Sequence, residues 1–174
     1  MAKARTIELS ATDSYGEAAA RVVAVRSVEL AGHAHGVLDT GDIERVHDMR
    51  VATRRLRAAL EVFERCFPRK AHRQVLKEVK RLADGLGERR DRDVAIAALD
   101  GFNEHMPMPD QKGVASLIDR LRDEQDQANT TLAPLVDRAK LDGLVERIDE
   151  LVASARGRKA PADRCNGGMK GPER

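Results

Sequence analysis

The sequence predicts an all-α fold, an antiparallel bundle of about six helices. Three observations carry that reading. Ala, Leu, Arg and Glu are abundant, whereas strand formers and turn dipeptides are scarce. Apolar residues recur at steps of three and four through long segments, and no segment alternates as a strand does. Aromatic residues make up only 2% of the 174 positions, with no Trp, so a core must be assembled from Leu, Val, Ile, Met and Ala. That length is enough for one domain with a buried interior.

Residues 1–12 read as a flexible arm and 13–157 as the bundle. Asp13 or Ser14 caps a first helix whose expected apolar stripe is Ala18, Val22, Val25, Val28, Leu30 and Ala31. His35-Gly36 ends it, and Asp39 to Asp42 form a turn. A long second helix runs from about Asp42 to Cys66 and stops before Pro68. A third follows from about Arg69 to Leu86, with Gly85 and Gly87 read as its end. Asp91 then caps a short fourth helix to Phe102, and Pro107-Met108-Pro109 is a linker. The fifth spans about Asp110 to Ala139, with a bend or break expected over Asp123–Thr131 and a kink at Pro134. The last carries Leu144, Ile148, Leu151 and Val152. The tail, 158–174, is Gly, Pro and charge, a composition that reads as disordered.

The charge is unevenly placed. The chain is only +2 overall, yet Arg50 to Arg81 holds eleven Lys and Arg against three acids, a local net of +8. A basic segment inside an otherwise acidic chain points to an anionic partner held on one face. At about 100° per residue, Met49, Ala52, Leu56, Ala59, Leu60, Phe63 and Phe67 share the core side of the second helix. His47, Arg50, Arg54 and Arg57 gather on another side, with Arg55 on the flank. On the third helix, Val75, Val79, Leu82, Ala83 and Leu86 face the core. Arg73, Lys77 and Lys80 form a stripe there, flanked by Lys70 and Arg81. Two antiparallel helices joined at Phe67-Pro68 lie side by side, so the stripes are expected to merge into one groove. Like charges at i,i+3 and i,i+4 cost an isolated helix about 0.2–0.5 kcal/mol per pair. A polyanion relieves that repulsion, with Arg gripping phosphate oxygens bidentately and Lys acting as a point charge.

The residues Val46-His47-Asp48-Met49-Arg50-Val51-Ala52-Thr53-Arg54-Arg55-Leu56-Arg57 resemble the signature of CHAD domains, the conserved-histidine α-helical domains. The stretch Leu82 to Val94, with Leu86-Gly87-Glu88-Arg89-Arg90-Asp91-Arg92-Asp93-Val94, is similar to the second motif of that family. The resemblance implies a helical fold whose basic surface binds inorganic polyphosphate without catalysis, and placement on polyphosphate granules. It implies phosphate contacts from His47, Arg50, Arg54, Arg55 and Arg57, from Lys77, Lys80 and Arg81 on the next helix, and from Arg90 in the second motif. Asp91 and Asp93 are expected to be structural. A typical CHAD domain resembles two tandem four-helix repeats, and this chain shows one such motif. The expectation is therefore half of the double arrangement, with a homodimer covering the apolar surface left open.

Other chemistry is weakly represented. His33 and His35 lie two apart and do not share a helical face, so no metal site is read there. Asp91 and Asp93 stand beside Arg90 and Arg92, which neutralise them. Cys66 reads as a buried small hydrophobe and Cys165 as an exposed tail thiol. No nucleophile–base pair, glycine-rich phosphate loop or catalytic carboxylate cluster is present, so neither an enzyme nor a cofactor is expected. No apolar run reaches the length of a membrane span, and the default is a reduced, cytoplasmic protein. A nucleic-acid-backbone binder remains the main alternative, beside an accessory module of a triphosphate-processing enzyme. The shortage of aromatic rings for base stacking counts against nucleic acid.

Overall fold

The computed structural model describes residues 3–156. Five α-helices follow one another: α1 (Tyr15–Gly32), α2 (Ile43–Val62), α3 (Arg69–Asn103), α4 (Met108–Val136) and α5 (Arg138–Arg156), with a 3-10 turn at Glu64–Cys66 between α2 and α3. No strand occurs among the described residues, and none of their helices is long and apolar enough to cross a membrane. The expectation for the tail over 158–174, Cys165 included, lies outside the described residues.

Helices α1, α2, α5 and the first half of α3 pack around one apolar core. Leu30, Met49, Leu56, Leu60, Leu86, Leu132, Ile148 and Leu151 lie fully buried in it. Ser14 opens α1 with a capping box: its side chain accepts from the Glu17 amide while the Glu17 carboxylate accepts from the Ser14 amide. These hydrogen bonds hold the Glu17 carboxyl below its ordinary value. The arm does not hang free, because Arg5 donates its amide to Glu29 and Glu8 accepts from Arg21, laying residues 5–8 along α1. Cys66 is buried, as read from the sequence, and its thiol is pushed up by burial.

Four expectations need correction. The buried stripe of α1 includes Ala19, Ala20, Val23, Ser27 and Leu30, and shares only Leu30 with the one expected; Val28 is 49% exposed. Apolar residues surround this helix, so several stripes fit its sequence and only packing chooses. The expected third and fourth helices are one, because α3 runs through Gly85, Gly87 and Asp91 without a stop. Gly85 serves close packing instead: a Cβ there would lie 3.2 Å from Leu135 and 3.4 Å from Leu132 of α4. Asp91 accordingly sits within α3 and caps nothing. Helix α4 continues unbroken through 123–131 and carries Pro134 in its last turn, ending at Val136.

The far ends of α3 and α4 extend as a two-helix hairpin. Val94, Phe102 and Leu117 are exposed on it, while other exposed apolar side chains, Tyr15, Val28 and Val62, lie on α1 and α2. The inner seam of the hairpin is polar. Arg89 is fully buried and pairs with Asp93 one turn on, at 3.0 Å. Asp93 also accepts from Gln125 at 2.7 Å, and Arg89 donates to Asn129 at 3.1 Å. Asn129 in turn donates to the Leu38 carbonyl, tying the α1–α2 loop to both helices. Burial lowers the Arg89 pKa, opposed mainly by the charge of Asp93.

Candidate functional site: a basic face across two helices

The α2 and α3 axes run antiparallel, and cross-contacts mark their register. Ile43 meets Arg90, Arg50 meets Gly87, Glu61 meets Lys80, and the Leu60 carbonyl meets the buried His72 imidazole at 2.9 Å. That register places the His47–Arg57 side of α2 along the Lys77–Arg90 side of α3. Gly87 lies beside Arg50, where a Cβ would stand 3.9 Å from Arg50 Nε, an ordinary contact distance.

The predicted residues divide by what already holds them. Arg54, Arg73, Lys77 and Arg81 are exposed and Arg50 is half-buried. Among the described residues, none of these five has a carboxylate oxygen within 4.0 Å. Arg50 Nε is buried with no hydrogen-bond partner. Arg57 and Lys80 differ, since both reach the same Glu61 oxygen, at 3.0 and 3.3 Å, and bridge the two helices through it. The hydrogen bond from Arg57, with the contact from Lys80, holds the Glu61 carboxyl below its ordinary range against a smaller effect of burial. Arg90 is anchored at the start of α2, donating to the Ile43 carbonyl at 3.0 Å and lying 3.4 Å from Glu44. Arg55 leaves the stripe and lies near enough to Glu29 of α1 for its charge to help keep that carboxylate ionised.

His47 is half-buried, one turn before Arg50 on the same side of α2. Ligand atoms of Glu44, His47 and Asp48 lie within 4.8 Å of one another, a grouping not anticipated from the sequence. Glu44 is engaged by Arg90, so the trio already has one cationic partner. Asp93 is neutralised by Arg89 rather than by Arg92, which reaches Glu124 and the Glu88 carbonyl.

With both motifs now seated on adjoining faces, the sequence comparison is decisive: the CHAD domain family matches residues 22–168. The chain belongs to the CHAD domain family. Comparison with curated proteins and with solved structures found no match. Within this CHAD domain the first motif builds the basic side of α2. The second lines α3 with one residue beside Arg50 (Gly87), one anchor to α2 (Arg90), and one buried ion pair (Arg89 with Asp93).

Sequence reasoning passed over Arg89 and His72, although a signal existed. Positions 72, 75, 79, 82, 86, 89 and 93 continue one series of three- and four-residue steps along α3, so the core stripe runs straight through both charged residues.

Proposed function

We propose that this CHAD domain binds inorganic polyphosphate without catalysis, along the trough between α2 and α3. The family is linked to polyphosphate and triphosphate binding in general, and the chemistry of this face supports the same ligand class. One observation carries the reading. Most arginines elsewhere find carboxylates, such as Arg21 with Asp13, Arg26 with Glu29 and Arg147 with Glu78. Arg50 and Arg54 on α2, and Arg73, Lys77 and Arg81 on α3, have no such partners among the described residues. Keeping like charges adjacent costs folding stability and is relieved when a polyanion enters. A linear chain of phosphates repeats its charge, as the stripe does, and each guanidinium offers two parallel donors to successive oxygens.

Arg50 is the centre of this arrangement because its buried Nε lacks an acceptor that a phosphate oxygen supplies. His47, one turn away, adds a donor when protonated. Arg57 and Lys80 join only when the anion displaces Glu61. Nothing in the trough supplies a nucleophile with its base, which favours a binding module over an enzyme. Placement on polyphosphate granules follows from the same affinity.

The test is polyphosphate affinity measured against salt for the parent and an Arg50→Glu/Arg54→Glu variant. The parent is expected to bind with a steep log–log salt slope, and each lost contact to lower that slope by about one. Excess polyphosphate should displace labelled duplex DNA, and DNA should fail to displace polyphosphate. A parent without salt-sensitive binding overturns the proposal; DNA winning the competition replaces it with the nucleic-acid reading.

A further inference from the structure

The molecule has a second polar feature, remote in character from the basic face. A cleft of about 390 Å³ opens between the start of α2, the far half of α3 and α4. Three carboxylates line it, Asp93, Asp100 and Asp126, with Ile43 and Ile96 as apolar wall and Arg122 beside them. We propose that this cleft binds a linear aliphatic polyamine.

The anchor is Asp93. It is 1% exposed, and its Oδ1 is spoken for twice, by Gln125 at 2.7 Å and by Arg89 at 3.0 Å. Its Oδ2 is buried and has no partner. A buried carboxylate oxygen without a donor is costly, and a donor arriving through the cleft removes that cost. The Asp126 carboxylate has no ion-pair partner among the described residues, and Asp100 is held only loosely, 3.8 Å from Arg122. Arg122 lies closer to Asp119, at 3.3 Å, and is 54% exposed, so it can withdraw without leaving itself unpaired.

The spacing of the carboxylates selects the ligand. Asp93 and Asp100 are seven residues apart on one helix, about 10 Å of axial rise. Their oxygens do not form a compact trio of the kind Glu44, His47 and Asp48 make within 4.8 Å. One metal ion cannot serve carboxylates so spread, because its ligands must all lie within about 2.6 Å of it. A triamine with propyl and butyl spacers carries ammonium groups over a comparable length. Its methylenes suit the Ile43 and Ile96 walls, and each ammonium brings three donors.

The experiment is titration calorimetry of the full chain, free of polyphosphate, with spermidine and separately with magnesium chloride. Spermidine is expected to saturate one site per chain. Asp100→Asn/Asp126→Asn should weaken it by at least about tenfold, and these changes fall outside the apolar core. Asp142→Asn, on α5 and outside the cleft lining, and the Arg50→Glu/Arg54→Glu variant should leave it unchanged, which separates this site from the polyphosphate trough. Absence of saturable spermidine binding, an equal loss in Asp142→Asn, or magnesium saturating the same site and excluding spermidine would each overturn the proposal.

Discussion

The two halves of α3 sit in one continuous helix and are held in opposite ways. From Arg69 to Leu86 its buried face is His72, Val75, Val79, Leu82, Gly85 and Leu86, packed on α2, α5 and the end of α4. Beyond that point, only Arg89 and Asp93 are buried before the helix ends at Asn103. The first half is stabilised by apolar area, which tolerates small misfits. The second depends on an ion pair and two amides, where each partner is needed by the others. A mutation that breaks the pair discriminates most sharply. Asp93→Ala leaves the Arg89 guanidinium charged and unpaired in the interior, an expected loss of about 3–5 kcal/mol in urea unfolding. Replacing both, Arg89→Met with Asp93→Leu, should recover part of it, because no buried charge is left unpaired although the buried Gln125 amide still loses its acceptor. A loss under about 1 kcal/mol for Asp93→Ala would mean that the hairpin is held by something other than this network.

The same contrast explains what was legible in the sequence. The apolar stripes of α2 and α5 follow directly from spacing, because Leu56, Leu60, Ile148 and Leu151 have neighbours polar enough to define a face. The gathering of basic residues on one side of each of α2 and α3 is read from the same spacing. Their division into paired and unpaired members is not, since Glu61 and Glu44 act across helices rather than along one. The run Arg89-Arg90-Asp91-Arg92-Asp93 reads as uniform solvated charge, and only the register of α3 against α4 sorts it into buried, anchoring and exposed positions. Glycine misled for a related reason. Gly85 and Gly87 are stop signals in an isolated helix, but here both sit inside α3, and Gly85 is a point of close approach to Leu132 and Leu135.

The apolar half can be probed where its stability is local. Ser14→Ala removes the hydroxyl that accepts from the Glu17 amide and is expected to cost about 1 kcal/mol at neutral pH. The Glu17 pKa is depressed in the folded state, chiefly by the Ser14 hydrogen bonds, so its contribution is present above the ordinary carboxylate value of 4.5 and is lost as pH falls through the folded value. The gap between parent and variant should therefore narrow in acid. Thermal unfolding followed from pH 7 to pH 3 checks this, and a gap that stays constant would remove Glu17 from the account.

The smallest expected effect concerns the charges on the basic face itself. Glu61 holds Arg57 and Lys80 across the α2–α3 junction, and a polyphosphate chain bound as proposed would compete with it for both. All three side chains are about two-fifths exposed, so water weakens the bridge and its loss costs little stability. Glu61→Gln removes the competing charge while keeping a similar shape, and should tighten polyphosphate binding by about two- to fivefold. The direction separates two views of Glu61. A residue that merely steadies the helices would, when neutralised, loosen the trough and weaken binding. A residue that withholds two cations from the ligand would strengthen it. The pH dependence sharpens the distinction. The Glu61 pKa is depressed below 4.5, first by the Arg57 hydrogen bond, so the carboxylate stays charged through neutral and mildly acid solution. Only as pH falls through that lowered value does protonation release the bridge. The affinities of parent and Glu61→Gln should thus differ by a constant factor from pH 7 to pH 5 and converge below it. Convergence at higher pH, or a weaker variant throughout, would show that Glu61 does not restrain the face.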